Sequence, residues 1–340
     1  MSLEAASLFI CQPGYESLLN DELAALGLPT LERSRGCVHT GAGHATETCF
    51  AHLQLVGVSG IDAPSVNAQA EGLLAYFMEQ IRGVVLTEKW PLIFRFADGN
   101  TGLGQRTKAV EKEFLKRLKK RMPKPGRTAT GELPRGGGRA SGLCVYFAAY
   151  DRLFAATEMW AGGQRRMADD PEAPSRSYLK TEEAFTVMER EPLPGETAVD
   201  LGAAPGGWSY SAARRGAHVI AIDNGPMKGG AKDHPLIEHR KTDAFRFLPA
   251  AGETFDWLLC DLVEEPHQVL RLIELWLQGN HCRHFVVNLK FGRADALQLL
   301  RQVTAPNGYL SAHCNTLRVR HLFHDRDEFT LMGSVGKSNP

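Results

Sequence analysis

Val199-Asp200-Leu201-Gly202-Ala203-Ala204-Pro205-Gly206-Gly207-Trp208 is the stretch that decides the fold of this 340-residue chain. The apolar run 197–201 predicts a strand and Gly202 a tight turn. Gly206 and Gly207 then leave bare backbone that a ligand can approach before a helix over 208–215. A second apolar run, His218-Val219-Ile220-Ala221-Ile222, ends on Asp223, an acid placed to accept hydrogen bonds from both hydroxyls of a ribose. Together these features predict a nucleoside-binding strand–helix–strand unit. A pyrophosphate seat is not expected, because it needs G-x-G-x-x-G, whereas Gly202 is followed by Ala203, Ala204 and the stiffening Pro205.

The pattern stays regular downstream. Strand-like runs at 237–241, 255–261 and 284–291 alternate with helical stretches at 265–277 and 294–303, which implies a parallel sheet covered on both faces. The last two runs, 309–317 and 328–333, have no helix between them and should pair antiparallel at one edge. In such sheets ligands bind beyond the carboxyl ends of the strands. Asp261 and Lys290 end two strands, Lys180 lies on a helix beginning near Ser177, and Glu328 starts the last strand after His324-Asp325-Arg326-Asp327. Two lysines and two acids are thereby expected at one mouth.

Upstream, Arg106, Lys108, Lys112, Lys116, Arg117, Lys119, Lys120 and Arg121 crowd a stretch in which Val110, Phe114, Leu115 and Leu118 recur at near-helical spacing. This predicts an amphipathic helix with one cationic face, able to track phosphates or simply to be solvated. The prolines and glycines of 123–142 predict a flexible basic loop. After it, 143–149 and 153–157 read as an antiparallel hairpin, and the irregular stretch 161–175 as a linker between two domains.

Composition sets the limits. With 43% hydrophobic and 23% charged residues, the chain reads as an ordinary soluble protein of two domains. No apolar run reaches the length of a membrane span and no secretory leader is visible, so a cytoplasmic protein with no membrane partner is expected. The seven cysteines lack any C-x-x-C pair, His281-Cys282-Arg283-His284 enters an apparent strand, and His321 with His324 lacks partners at ligand spacing, so reduced thiols and no metal are expected. A formal net charge of zero argues against indiscriminate coating of nucleic acid.

The spelling D-x-G-x-x-P-G-G resembles the first motif of S-adenosylmethionine (SAM)-dependent methyltransferases. In chain order, Lys180, Asp261, Lys290 and Glu328 resemble the Lys-Asp-Lys-Glu tetrad of the RNA ribose 2′-O-methyltransferases. The segments Pro174–Lys180, Asp223–Met227, Cys260–Glu264, Asn288–Lys290 and His324–Glu328 are similar, more narrowly, to bacterial enzymes that methylate a cytidine ribose in the peptidyl-transferase region of 23S rRNA. That resemblance implies an α/β, Rossmann-like SAM-dependent methyltransferase domain at 177–340. Ahead of it would lie an α+β, THUMP-type RNA-binding region: a ferredoxin-like module at 1–65, a THUMP-like domain at 66–160 and a linker at 161–176. The N-terminal likeness rests on Cys11-Gln12-Pro13-Gly14-Tyr15-Glu16 and on the layout.

By the same resemblance, Ser177, Gly202, Ala204, Pro205, Gly206, Gly207, Asp223, Asp243 and Asp261 would contact SAM, with Asp243 facing the adenine amino group. Lys290 would accept the proton of the 2′-hydroxyl, while Lys180, Asp261 and Glu328 orient it and the ribose. The 2′-oxygen would displace the methyl in line, and the partner would be 23S rRNA or its precursor. Ala204 departs from the cysteine expected there. Two other readings stay open: a non-catalytic RNA-binding or ribosome-assembly factor that keeps a SAM pocket, and a nicotinamide-dependent oxidoreductase. A thermal-shift measurement separates the last: SAM is expected to raise the melting temperature, and stabilisation by NAD but not by SAM would favour the oxidoreductase.

Overall fold

The computed structural model describes residues 6–41, 43–83, 88–97, 102–250, 252–292 and 294–336. Residues 1–5 and 337–340, the outer ends of the two expected domains, lie outside the described residues. The chain divides into two compact units, Met1–Gly163 and Gln164–Pro340.

The first unit runs β1 (Ser7–Cys11), α1 (Glu16–Ala25), β2 (Thr30–Ser34), β3 (Cys37–Thr40), β4 (Ala51–Val56), β5 (Ser59–Asp62), α2 (Val66–Gln80), β6 (Trp90–Phe96), α3 (Leu103–Arg121), α4 (Pro123–Thr128), β7 (Ala129–Thr130), β8 (Gly138–Phe147) and β9 (Arg152–Ala161). Its sheet has the order β2-β3-β1-β4-β9-β8-β6-β7, with β5 also on β9. Because β4 and β5 both pair with β9, the sheet is continuous across residue 65. On α3 the stripe Leu103, Thr107, Val110, Phe114 and Leu118 is buried, at the three- and four-residue spacing of one helix face. Phe77 of α2 sits between Trp90 at 5.0 Å and Phe114 at 6.0 Å. The opposite face of α3 exposes Lys108, Lys112, Lys116, Lys119, Lys120 and Arg121.

The loop expected at 123–142 is partly ordered structure. Pro123 and Pro125 stand in the first turn of α4, where a missing N–H costs nothing. The Pro125 carbonyl accepts the indole N–H of Trp90 at 3.0 Å, and a Cβ on Gly126 would fall 2.9 Å from the Lys119 Cα, so α4 packs directly on α3. The hairpin is also longer than expected, because β8 begins at Gly138 and β9 continues to Ala161.

The second unit runs α5 (Tyr178–Met188), β10 (Thr197–Leu201), α6 (Gly207–Ala213), β11 (His218–Ile222), a short turn at Gly229–Ala231, β12 (Ile237–Arg240), β13 (Phe255–Cys260), α7 (Pro266–Gln278), β14 (Cys282–Lys290), α8 (Ala296–Thr304), α9 (Tyr309–His313), β15 (Cys314–Arg320) and β16 (Glu328–Val335). Its sheet order is β12-β11-β10-β13-β14-β16-β15. The first five strands are parallel and β16 is antiparallel to both its neighbours. The chain moves outward from β10 to β12 and then returns to β13, so the switch point lies between β10 and β13, beyond whose carboxyl ends a crevice is expected. Residues 309–313, read from sequence as strand, form α9 instead. Its turn is closed by the His313 ring, which lies over the Tyr309 ring at 4.0 Å and reaches the Tyr309 carbonyl. Among the described residues, no helix is long and apolar enough to cross a membrane, and no three His, Cys, Asp or Glu side chains gather as a metal site would require.

Gly333 sits mid-strand in β16, where an added Cβ would lie 2.3 Å from the Thr316 carbonyl oxygen and 2.8 Å from the Phe285 ring. The first obstacle is backbone and cannot rotate away, so Gly333→Ala is expected to destabilise the unit by about 1–3 kcal/mol in chemical denaturation. Gly131→Ala, with nothing within 4 Å, is the neutral control. Equal midpoints for the two variants would mean that β15 is not held at this spacing.

Candidate active site

The glycine turn after β10 is built as its residue types demand. Gly202 at φ +79° and Gly206 at φ +107° hold left-handed conformations that a Cβ would strain, and the Ala204–Pro205 peptide bond between them is cis. Asp223, just after β11, fastens the turn from the side: one carboxylate oxygen accepts the Ala204 N–H at 3.0 Å and the other the Gly225 N–H at 2.7 Å. Each oxygen keeps a lone pair for a hydroxyl. A Cβ on Gly207 would lie 2.8 Å from both the Ser175 and Ser177 hydroxyls, so the chain entering α5 lies against bare backbone at the start of α6. The Ser177 carbonyl accepts the indole N–H of Trp208 at 3.0 Å. Asp243 is on the exposed turn after β12, where it accepts the Phe245 N–H and stands 3.6 Å from Arg246.

Below the turn, Asp200 is fully buried on β10. One of its oxygens accepts the Ser209 hydroxyl at 2.6 Å, and the other has no hydrogen-bond partner among the described residues. Burial, aided by the charges of Asp261 and Asp223 and opposed by Ser209, pushes its carboxyl up to about 7.

Beside this turn the structure brings together Lys180, Asp261, Lys290 and Glu328. Lys290 closes β14 and Glu328 opens β16, and the antiparallel register sets them directly opposite each other. Asp261 follows the last residue of β13, and Lys180 reaches in from the first turn of α5. Lys180 Nζ lies 2.5 Å from Glu328 and 3.8 Å from Asp261, and Lys290 Nζ lies 2.5 Å from Asp261 and 4.0 Å from Glu328. Lys290 also donates to the carbonyls of Asp261 at 3.2 Å and Leu262 at 3.1 Å. Exposure is graded: the Lys180 side chain is 11% accessible and Lys290 23%, so Lys290 is the more open of the two lysines. Burial disfavours the charged form of Lys180, but Asp261, Glu328 and Asp325 outweigh it and raise the ammonium above its ordinary value. Lys180 therefore acts as a fixed cation.

Sequence reasoning missed two acids that support this edge. Asp325, in the loop before β16, is buried and takes the Leu322 N–H at 2.8 Å, the Asn288 amide at 3.2 Å and the Thr330 hydroxyl at 3.1 Å. Asn288 and Thr330 each stand two residues from a tetrad member on the same strand face, so Asp325 ties β14 to β16 just behind Lys290 and Glu328. Burial, then the Glu328 charge, pushes the Asp325 carboxyl up to about 8. Glu183, one helical turn after Lys180, takes the Arg165 N–H and the Phe323 N–H, each at 3.0 Å. Burial raises its carboxyl well above the ordinary range. The sequence signals were the acids in His324-Asp325-Arg326-Asp327 and Glu182-Glu183, but nothing in those runs marks which acid is buried.

Known proteins can now be set beside this geometry. Residues 173–287 match the family model of the FtsJ-like methyltransferases. A ribosomal RNA large subunit methyltransferase M from Alkalilimnicola ehrlichii is 32% identical over 363 aligned residues, covering 96% of this chain and 93% of that protein. The chain belongs to the ribosomal RNA large subunit methyltransferase M (RlmM) family. Proteins of the same name from Laribacter hongkongensis and Halorhodospira halophila are each 44% identical, over 181 and 177 residues. Against these two, the match spans about half the length of either chain, 51% in both cases. TrmN from Thermus thermophilus superposes with a TM-score of 0.35 at 14% identity over 97% of this chain and 100% of that one, too low to bear on the fold. The resemblance read in the sequence thus narrows to the RlmM family, on a mixed α/β fold whose second unit carries the FtsJ-like methyltransferase match.

Asp325 carries a pH signature. With its carboxyl near 8 when folded, against about 3.9 when unfolded, the folded protein holds a proton that the unfolded chain lacks between these values. Its contribution to stability therefore falls as pH rises through that window. Asp325→Asn has no such titration, so the melting temperature of the variant minus that of the unchanged protein should increase from pH 5.5 to 7.5. A difference constant with pH would mean that Asp325 is ionised in the folded protein.

Proposed function

We propose that this RlmM-family chain transfers a methyl group from SAM to the 2′-hydroxyl of a ribose in 23S rRNA, a cytidine of the peptidyl-transferase region. The observation that carries the reading is the meeting of two lysines and two carboxylates beside a bare-backbone nucleoside turn. The family name supports the class of RNA. SAM supplies a methyl on a positively charged sulfur when bound. The residues fit such a ligand: the turn Gly202, Ala204, Pro205, Gly206 and Gly207 offers close backbone approach and Asp223 retains lone pairs for ribose hydroxyls, with Ser177, Asp243 and Asp261 completing the contacts. The unpartnered oxygen of Asp200 marks a polar spot beneath the same turn.

Lys290 is the proton acceptor in this reading. As an ammonium it spends three N–H groups on Asp261 Oδ1 and on the carbonyls of Asp261 and Leu262. To take a proton it must first lose one and give up one of these bonds, which turns a lone pair toward the cleft. Lys180 stays charged and holds Glu328 and Asp261 in place, so the hydroxyl meets a positioned base rather than a mobile side chain. The first unit would be the THUMP-type RNA-binding region, comprising a ferredoxin-like module at 1–65 and a THUMP-like domain at 66–160. A linker at 161–176 would join it to the Rossmann-like domain at 177–340, and the enzyme would act on 23S rRNA or its precursor in the cytoplasm. The cationic face of α3 supports the RNA-binding role.

The test is labelled-methyl transfer from SAM to unmodified 23S rRNA by the unchanged protein and by Lys290→Ala. The variant should lose roughly 10²–10⁴-fold in kcat and bind SAM within about twofold of normal, since removal of a proton acceptor spares the ligand. A variant that keeps full activity would contradict the assignment, and SAM binding without transfer by the unchanged protein would favour a non-catalytic factor.

A further inference from the structure

Arg166 is exposed, and among the described residues it has no carboxylate partner. Its guanidinium instead lies over the ring of Phe323, 5.4 Å from the ring centre. Both ends of this contact are held by one buried acid, because Glu183 accepts the N–H of Arg165 and the N–H of Phe323 through the same oxygen. The next residue on each side is fastened as well: the Met167 N–H donates to His324 Nε2 at 3.1 Å. That bond places the His324 proton on Nδ1. Burial first, then the charges of Arg176 and Arg166, keeps the imidazole below its ordinary value, so it is neutral and both arginines face it. Arg176 is already engaged by Asp169 at 2.8 Å, which leaves Arg166 as the cation whose charge is unspent.

This position adjoins the tetrad. Glu183 follows Lys180 by three residues on α5, so the two share a helix face, about 4.5 Å apart along the axis. Lys180 meets Glu328 and Glu183 meets the Phe323 N–H on the loop that leads into Glu328. A guanidinium pinned by stacking loses little further freedom on binding, and its planar fork matches two phosphate oxygens.

We propose that Arg166, braced on Phe323 beside the Lys180–Glu328 pair, seats a backbone phosphate of the RNA strand whose ribose is methylated. The proposal rests on the RNA-methylating reading above and adds to it where the strand is gripped. A phosphate held by Arg166, on a segment that Glu183 fastens to α5 one helical turn from Lys180, fixes the sugar relative to Lys290, and it explains a stacked, unpaired arginine that the fold alone does not require.

The test uses the full chain and an unmodified transcript of the peptidyl-transferase region of 23S rRNA. Arg166→Gln should raise KM for RNA about tenfold, the loss of one charged hydrogen-bonded contact, and change kcat at saturating RNA by less than about twofold. In filter binding without SAM, the slope of log K against log salt should shrink by about 0.7, the value for one single-strand phosphate. Arg166→Lys should recover the slope while leaving KM partly raised. An unchanged KM and salt slope in Arg166→Gln would overturn the proposal, whatever the melting temperature does. Because the slope is read without turnover, it judges the seat separately from the reaction. If the unchanged protein bound SAM and RNA without transfer, the methylating reading would fall and the phosphate seat would still be decided.

Discussion

The tetrad edge of the second unit depends on four charges that cancel among largely buried side chains. Lys180 meets Glu328 at 2.5 Å and Lys290 meets Asp261 at 2.5 Å, with longer contacts closing the square. Each ion taken out of water alone costs several kcal/mol, and removing one partner of a buried pair costs about 3–5 kcal/mol because the other is stranded. The group therefore persists only where four chain segments deliver it together. Its members come from α5, from the ends of β13 and β14, and from the start of β16. That requirement matches the direction of β16, which runs antiparallel between β14 and β15 and so sets its first residue opposite the last residue of β14.

A second set of acids works on backbone instead of lysine. Asp223 gathers the N–H groups of Ala204 and Gly225, Glu183 those of Arg165 and Phe323, and Asp325 that of Leu322 together with two strand side chains. Each pins a loop that carries no regular structure, and each lies next to a residue assigned to the reaction. Burial raises Asp325 and Glu183, whereas the tetrad acids stand against ammonium groups. The two sets differ in what they hold: the paired charges hold one another, and the backbone-bound carboxyls hold the loops around them.

Much of this was legible in the residues because it is written in periodicity. The alternating strands and helices after residue 197, the antiparallel final pair and the apolar stripe of α3 all follow from spacing, and the structure reproduces them. The failures are local and have physical causes. Pro123 and Pro125 read as breakers, yet they occupy the first turn of α4, and the anchor that orders them is Trp90, more than thirty residues away in sequence. Tyr309–His313 has the aromatic composition of a strand but forms α9 through contacts between its own side chains. Asp325 and Glu183 look like surface acids in sequence because burial depends on what packs over them. Arg166 gives no signal at all until Phe323 is placed beneath it.

The proposed reaction delivers a methyl group to a ribose oxygen rather than to a base. The most direct measurement is alkaline hydrolysis of 23S rRNA after labelled-methyl transfer by the purified protein. Alkali cleaves RNA through a 2′-hydroxyl, so a ribose methylated at that oxygen blocks the adjacent cut. Ribose methylation puts all label in one alkali-resistant dinucleotide with cytidine at its 5′ side. Label recovered on a mononucleotide, and hence on a base, would contradict it.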